Sequence, residues 1–198
     1  MPRSADQNQA LRASTRAKLL SAALLLFARD GYAATSVRAV ANESGLATGL
    51  LYSHFQGKEA LLRAVFEESM ADVRASLALA DAAPVTERLA ALVRGSVAIL
   101  KEHLDFWRLS YATRTQPSVL TAVGPALPEW TASILESLRR YLADTGSSDP
   151  EGDAHALFAQ IDGLCQHFAL QPDSYPVDAV AERVIRRWQR SDFSQPEP

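Results

Sequence analysis

Cysteine is nearly absent from the 198-residue sequence, where Cys165 stands alone. A single cysteine cannot form a disulfide within the chain or a multi-cysteine zinc site, which agrees with a reducing compartment. His155, Asp162 and His167 fall in one predicted helix, but their spacings of seven and five residues do not bring all three side chains to one point. We therefore expect neither a metal site nor a cofactor.

The sequence also lacks a long hydrophobic run. Its longest apolar stretch, Leu19 to Ala28, lies between Lys18 and Arg29 and is too short to span a bilayer. The first residues, MPRSADQNQA, contain no apolar segment of the kind found in signal peptides. These absences predict a cytoplasmic protein that has no membrane partner.

Signatures of catalysis are missing as well. The sequence contains no glycine-rich phosphate loop, no nucleophile–base arrangement and no paired-carboxylate motif. We therefore predict no catalytic residues, although a small helical enzyme stays open as an alternative.

Charge is distributed unevenly along the chain. The net charge is −3, but residues 1–63 hold eight Lys and Arg against four Asp and Glu, whereas the remaining residues hold twelve against nineteen. A basic segment joined to an acidic one favours a polyanion as the partner of the basic segment.

Apolar residues recur at three- and four-residue spacing through most of the chain, and the alternation typical of strands is hard to find. This periodicity predicts an all-α fold of about nine helices. We expect a mobile polar arm over residues 1–14, in which Arg3 and Arg12 could reach DNA phosphates, then a three-helix head over residues 15–63 and a larger helical domain over residues 64–198.

The head contains two short helices joined by a glycine turn. After a first helix that ends at Gly31, the pair Thr35-Ser36 signals the start of a helix of about two turns, which stops at Gly45. Such short helices are stable only when they pack on each other and on the first helix. With Leu51 and Phe55 packed inward, the third helix presents an outer face suited to a DNA major groove.

The segment TSVRAVANESGLATGLLYSHFQGKEALLRAVFEE, with its Gly45…Gly49…Leu51-Tyr52…Phe55…Lys58-Glu59…Leu61 pattern, resembles the N-terminal DNA-binding domain of TetR-family regulators. The resemblance covers roughly Thr15 to Glu68. It implies that Tyr52, His54 and Lys58 contact the DNA backbone and that Arg38 contacts a base or a phosphate. Bases would be read by Thr48, Gly49, Leu50 and Arg38. The full set of candidate DNA-binding residues is Thr35, Ser36, Arg38, Ala47, Thr48, Gly49, Leu50, Tyr52, His54 and Lys58.

The third helix departs from the family pattern, which commonly has Ser, Lys and Thr where this chain has Ala47, Thr48 and Leu50. Ala47 cannot cap its helix, and a lost cap costs about 0.5 to 2 kcal/mol. Either Thr48 takes over the capping role or the helix is loosened. A dimeric ligand-binding protein with degraded DNA binding is therefore a second alternative.

The resemblance implies that the C-terminal domain binds a small-molecule effector. Aromatic side chains with polar tips cluster between His103 and Tyr111, which favours a hydrophobic or aromatic ligand; the alternative is that these aromatics fill the core. The candidate lining residues are His103, Phe106, Trp107, Tyr111, Trp130, Phe158, Asp162, His167 and Phe168.

The last two predicted helices carry broad apolar faces, and the resemblance implies that they form a homodimer interface. The candidate interface residues are Leu157, Ile161, Gly163, Leu164, Val180, Val184 and Trp188. A two-fold dimer requires a palindromic site on double-stranded DNA. The sequence as a whole predicts a DNA-binding transcriptional regulator, a repressor that a small-molecule effector releases from its operator.

Overall fold

The computed structural model describes residues 5–124 and 127–190, and within them it contains ten α-helices, a single 3₁₀ turn at Val85–Glu87 and no strand. The helices are α1 (Ala5–Arg29), α2 (Val37–Glu43), α3 (Thr48–His54), α4 (Lys58–Asp81), α5 (Arg88–Glu102), α6 (Leu104–Arg114), α7 (Pro117–Val123), α8 (Leu127–Asp144), α9 (Pro150–Leu170) and α10 (Val177–Arg190). The prediction of an all-α fold is confirmed. The sequence predicted about nine helices. The difference can be traced to the break between α5 and α6 at His103, because no proline or glycine marks it in the sequence.

The first helix begins at Ala5 rather than at Thr15. Residues 5–14, which were predicted to be part of a mobile polar arm, are therefore helical, while residues 1–4, including Arg3, lie outside the described residues. Residues 6–14 are exposed all round, so they carry no amphipathic pattern. They are nevertheless rich in Ala, Gln, Leu and Arg, which favour helix, and extending an existing helix avoids the cost of nucleation.

The chain forms two compact units. The first contains α1–α3, α4 up to Glu68, and the segment Leu109–Gly124. The second contains α4 from Ser69, α5, α6 up to Arg108, and α8–α10. The segment Leu109–Gly124 thus groups with the head, whereas the sequence analysis assigned every residue after 63 to one domain.

The first unit is built around the inner face of α1. Leu19, Leu24 and Phe27 are fully buried there, and α2 packs against α1 through Val40 and Ala41. The Phe27 and Tyr32 rings meet edge to face, with centroids 5.1 Å apart. Each fully buried apolar side chain contributes about 1.5–3 kcal/mol, so this core fixes the two short helices that are too short to be stable alone.

The second unit is a bundle in which α8 packs along α9, and α5 packs against both α9 and α10. Its core is an apolar cluster that includes Tyr141, Leu157 and Trp188. The Tyr141 hydroxyl donates to Asp81 Oδ1 over 2.9 Å, and Trp188 Nε1 donates to Gln160 Oε1 over 3.0 Å. The two large aromatic side chains are therefore buried with their polar atoms paired.

Three of the residues predicted at a subunit interface lie instead in the interior of this unit. Leu157, Leu164 and Trp188 are all buried within a single chain, and Leu157 and Trp188 belong to its central cluster. Side chains covered by their own chain offer little surface to a partner, and the place of these three at an interface stays a prediction. Ile161, Gly163, Val180 and Val184 are partly exposed, and their place at an interface stays a prediction.

Candidate nucleic-acid interface

The turn between α2 and α3 is set by local chemistry. Ser36 caps α2, because its Oγ accepts a hydrogen bond from the Ala39 amide over 3.1 Å. Gly45 has a φ of +69°, a left-handed conformation that residues with a side chain adopt at a cost. The Leu46 amide then donates back to the Ala41 carbonyl over 3.0 Å. The predicted cap and the predicted glycine turn are both confirmed.

Thr35 supports this arrangement from inside the protein. Its side chain is buried, and Oγ1 donates to the carbonyls of Gly31 (2.9 Å) and Leu26 (3.3 Å). Gly31 itself has a φ of +88°, as predicted for the residue that ends the first helix. The Thr35 hydroxyl is therefore paired with carbonyl groups at the end of α1, and a contact of Thr35 with DNA stays a prediction.

α3 has one buried face and one exposed face. Leu51 is fully buried and Phe55 nearly so, and both hold the helix against the core. On the opposite side Gly49 and Ser53 are exposed, as are Leu50 at 40% and Tyr52 at 57% of their surface. Leu50 and Tyr52 therefore lie on the outside of a helix whose opposite face is anchored in the core.

The first turn of α3 lacks a side-chain cap, as the sequence predicted. Ala47 occupies the N-cap position and its side chain makes no capping hydrogen bond. The preceding helix carries Arg38 on its exposed side, and Thr48 at the beginning of α3 is half-buried. Arg38, Ala47, Thr48, Gly49 and Leu50 thus all belong to α2, α3 or the turn between them.

Lys58 opens α4, as predicted, but its ammonium group is held by the protein. Nζ donates to the Tyr32 carbonyl (2.9 Å) and the Ala33 carbonyl (3.1 Å) and lies 4.5 Å from the centroid of the Tyr32 ring. An ammonium group has three donors, so one remains for a phosphate. Lys58 thus ties α4 to the α1–α2 turn in addition to any role in DNA binding.

His54 ends α3 beside the buried Phe55 ring, with ring centroids 6.2 Å apart. Partial burial lowers the pKa of His54 below its ordinary value, and the positive charges of Arg12 and Arg16 lower it further. The protonated form of His54 is therefore disfavoured in the free protein, first by partial burial and then by two cations from α1.

Gln116 is a residue of the head that the sequence analysis missed. Its side-chain amide lies between the end of α1 and the following turn: Nε2 donates to the Phe27 carbonyl over 2.7 Å, and Oε1 accepts from the Tyr32 amide over 2.8 Å. The side chain thereby takes the place of a peptide group. It is separated from its partners by more than 80 residues in sequence, so no local pattern could have revealed it.

In the second unit, two of the predicted pocket residues, His103 and Trp107, contact a carboxylate that was not predicted. Asp72 Oδ2 accepts from Trp107 Nε1 over 2.9 Å and lies 2.9 Å from His103 Nδ1. The Phe106 ring meets the Trp107 ring edge to face, 6.1 Å between centroids. We call Asp72, His103, Phe106 and Trp107 the Asp72 cluster. The Asp72 side chain is only 15% exposed, and its carboxylate lies against the Trp107 indole.

Other candidate pocket residues lie elsewhere in the fold. Phe158 packs against the central cluster of the second unit. His167 is exposed and stacks on Tyr175 at 5.6 Å, while Phe168 is buried. Trp130 and Asp162 are partly exposed in the same unit. Tyr111 belongs to the first unit, where the Arg114 guanidinium lies 4.5 Å from its ring centroid.

Among residues 5–124 and 127–190, no group of three or more His, Cys, Asp and Glu side chains is arranged to hold a metal ion. No helix in that part of the chain is both long and apolar enough to cross a membrane.

Comparison with known proteins gives a consistent result. Residues 19–65 match the family model of bacterial regulatory proteins of the tetR family, and residues 80–191 match a model of tetracyclin repressor-like C-terminal domains. The uncharacterized HTH-type transcriptional regulator YerO of Bacillus subtilis (strain 168) is 40% identical over 50 residues, 25% of this chain and 17% of the relative. The chain therefore spans about one sixth of the length of that relative.

Solved structures resemble the chain over nearly its whole length. A TetR-like transcriptional regulator from Rhodococcus sp. RHA1 superposes with a TM-score of 0.74 at 22% identity and covers 98% of this chain and 100% of its own. SmeT in complex with triclosan superposes with a TM-score of 0.70 at 18% identity and covers 93% and 99%. At these identities the likeness shows the fold alone.

Proposed function

This chain belongs to the TetR family of DNA-binding transcriptional regulators, and from that premise we propose that it represses transcription as a homodimer that a small-molecule effector releases from a palindromic operator. The observation that carries the proposal is the exposed face of α3, whose inner side Leu51 and Phe55 anchor in the core. A helix presented in this way fits the major groove of double-stranded DNA. Such a protein acts in the cytoplasm, where the chromosome lies.

The contacts to DNA divide into two kinds. Thr48, Gly49 and Leu50 at the start of α3, with Arg38 on α2, face base edges; Thr48 offers a hydroxyl and Leu50 offers an apolar contact for a thymine methyl group. Tyr52, Ser36, His54 and the third donor of Lys58 bind backbone phosphates, which set the register of the protein on the duplex. Exposure of Leu50 and Tyr52 supports this division.

We propose that two chains associate through the outer faces of α9 and α10. At Gly163 an added Cβ would meet nothing within 4 Å, so this position is open to a closely approaching helix. In such a dimer two α3 helices are related by a two-fold axis, and the half-sites of the operator lie about 34–36 Å apart or a multiple of that distance. Sedimentation at micromolar concentration should give about twice the 21.5 kDa mass of one chain.

We propose that the effector is hydrophobic or aromatic and binds in the second unit against the Asp72 cluster. The Trp107 and Phe106 rings supply flat apolar surface, and the Asp72 carboxylate can accept a hydrogen bond from a polar group of the ligand. The complex of SmeT with triclosan makes triclosan a suitable first probe. It should raise the melting temperature of the wild-type protein and weaken DNA binding, and Phe106→Ala should reduce both effects.

Fluorescence anisotropy with duplexes from the DNA upstream of the gene tests the DNA-binding part of the proposal. We expect a dissociation constant of about 10⁻⁸ to 10⁻¹¹ M on an inverted repeat and binding at least about 10³-fold weaker on a scrambled duplex. Tyr52→Ala should weaken binding to both duplexes alike, because a phosphate contact carries no sequence information. Equal affinity of the wild type for the repeat and the scrambled duplex would contradict the proposal.

A further inference from the structure

The Asp72 carboxylate is held in a fixed direction, and one of its oxygens is left to bind. Within the described residues both of its contacts fall on Oδ2, which accepts from Trp107 Nε1 over 2.9 Å and lies 2.9 Å from His103 Nδ1. Since a carboxylate has about four acceptor sites on its two oxygens, Oδ1 keeps its capacity to accept hydrogen bonds. Trp107 is buried, so the direction of the carboxylate is set before any ligand arrives.

The negative charge of Asp72 is poorly neutralised. Within the part of the chain that the structure describes, an indole and an imidazole contact the carboxylate, rather than a lysine or an arginine. Lys101, near His103 in sequence, is bound to Asp178 over 2.7 Å instead. His103 can be protonated, but 46% of its side chain is exposed, so an ion pair with it contributes little. Because the Asp72 side chain is largely covered, water solvates its charge incompletely, which favours a further cation.

The surroundings of Asp72 favour a cation with an apolar body. The Phe106 ring meets the buried Trp107 ring edge to face, so apolar surface lies beside the carboxylate. The face of an aromatic ring attracts a cation that lies within about 6 Å of its centre. Residues 64–198 hold nineteen Asp and Glu against twelve Lys and Arg, and a negatively charged domain raises the local concentration of cations. A negatively charged ligand would instead meet a like charge in Asp72.

We propose that the Asp72 cluster recognises a protonated organic amine with an aromatic or apolar body, and that it rejects a carboxylate of the same shape. The inference rests on the proposed function, since it narrows the class of effector from hydrophobic or aromatic ligands to cationic ones. An ammonium N–H group of the ligand donates to Asp72 Oδ1, and the apolar body packs on the Phe106 ring. Opposite charges attract more strongly beside a partly covered carboxylate than in bulk water, so the amine binds more tightly than a neutral alcohol of equal size.

Calorimetric titration of the full chain with tryptamine, tryptophol and indoleacetate tests the charge requirement. The three probes share an indole ring, and their head groups are positive, neutral and negative at neutral pH. The wild type should bind tryptamine at least about tenfold more tightly than tryptophol, because the ammonium group adds an ionic attraction to the hydrogen bond. Indoleacetate should bind most weakly of the three.

Substitution of Asp72 separates its charge from its shape. Asp72→Asn keeps the size of the side chain and an oxygen that can accept from Trp107 Nε1. It should weaken tryptamine binding about tenfold to hundredfold and strengthen indoleacetate binding, because the like charge is gone. Asp105→Asn removes the same charge from an exposed position on α6; as the matched control it should change tryptamine affinity less than about threefold. A gain in indoleacetate binding cannot arise from misfolding.

The outcomes separate this inference from the proposed function, because the titrations contain no DNA. The amine site is refuted, while operator binding stands, if the wild type binds tryptamine and tryptophol equally or does not bind tryptamine at millimolar concentration. An equal loss of tryptamine affinity in Asp72→Asn and Asp105→Asn also refutes it. Tryptamine binding that requires the Asp72 charge supports the inference, and tryptamine should then release the operator duplex. If it binds in this way and the duplex stays bound, the amine site stands and release by an effector at this site is refuted.

Discussion

Replacement of Gln116 by methionine should destabilise the head, although Gln116 lies far in sequence from the residues that it contacts. The change keeps the length and shape of the side chain but removes the amide that donates to the Phe27 carbonyl (2.7 Å) and accepts from the Tyr32 amide (2.8 Å). Two backbone groups at the end of α1 then lose their partner. Both contacts are partly buried, so hydrogen bonds to water can compensate only in part for the two that are lost.

The expected magnitude follows from these two contacts. An unpaired buried backbone group costs about 1–3 kcal/mol, and partial access of water places each of these near the lower limit. The free energy of unfolding should therefore fall by about 2 kcal/mol. For a chain of this length the melting temperature should fall by about 4–8 °C. Gln116→Glu should cost at least as much, because a carboxylate oxygen would face the Phe27 carbonyl.

Urea denaturation and thermal melting of wild type, Gln116→Met and Gln9→Met measure the effect. Gln9 is exposed on α1, and its substitution should change stability by less than about 0.5 kcal/mol. If Gln116→Met and Gln9→Met unfold within about 0.5 kcal/mol of each other, the Gln116 side chain does not hold the end of α1, and the reasoning is refuted.

Three further predictions concern single substitutions, with stability measured by urea denaturation. Ala47→Ser should stabilise the protein by about 0.5–2 kcal/mol by supplying the missing cap of α3, whereas Ala47→Val, which cannot cap, should give no such gain. Leu157→Ala should destabilise the single chain by about 2–5 kcal/mol without abolishing dimerisation, since Leu157 is core; selective loss of the dimer would place it at the interface after all. Tyr141→Phe should cost about 0.5–1.5 kcal/mol for the lost bond to Asp81, and an unchanged stability would show that this bond contributes nothing.

The parts of the head that depend on local chemistry could be predicted from the sequence. Gly31 and Gly45 ended helices where predicted, Ser36 formed the cap, and Leu51 and Phe55 faced inward. These features arise from interactions within a few residues or from one helical period, and both leave a pattern that a single sequence displays.

Contacts between distant residues could not be predicted in this way. Gln116 and Asp72 carry no local signal, because each is defined by partners more than 30 residues away. Lys58 was expected to be available to phosphate, but two of its donors bind carbonyls that only the folded turn brings near. The start of α1 was missed for a different reason. Its first residues favour helix formation, but because they are exposed on all sides they show no amphipathic pattern.

The apolar faces of α9 and α10 show a further limit of prediction from sequence. A stripe of apolar residues must be covered, but the stripe does not reveal whether the same chain or a partner covers it. Leu157 and Trp188 proved to be covered by their own chain, while Gly163 remains open. A distinction of this kind depends on where the neighbouring helices lie, which helical periodicity does not encode.

The central claim is that the exposed face of α3 reads the operator, and selection of duplexes from a random pool by wild type, Leu50→Ala and Tyr52→Ala tests it most directly. The wild type should enrich an inverted repeat. Leu50→Ala should lose preference at the same position of both half-sites, whereas Tyr52→Ala should enrich the unchanged repeat with lower affinity. Enrichment of no repeat by the wild type, or of an unchanged repeat by Leu50→Ala, would contradict the claim.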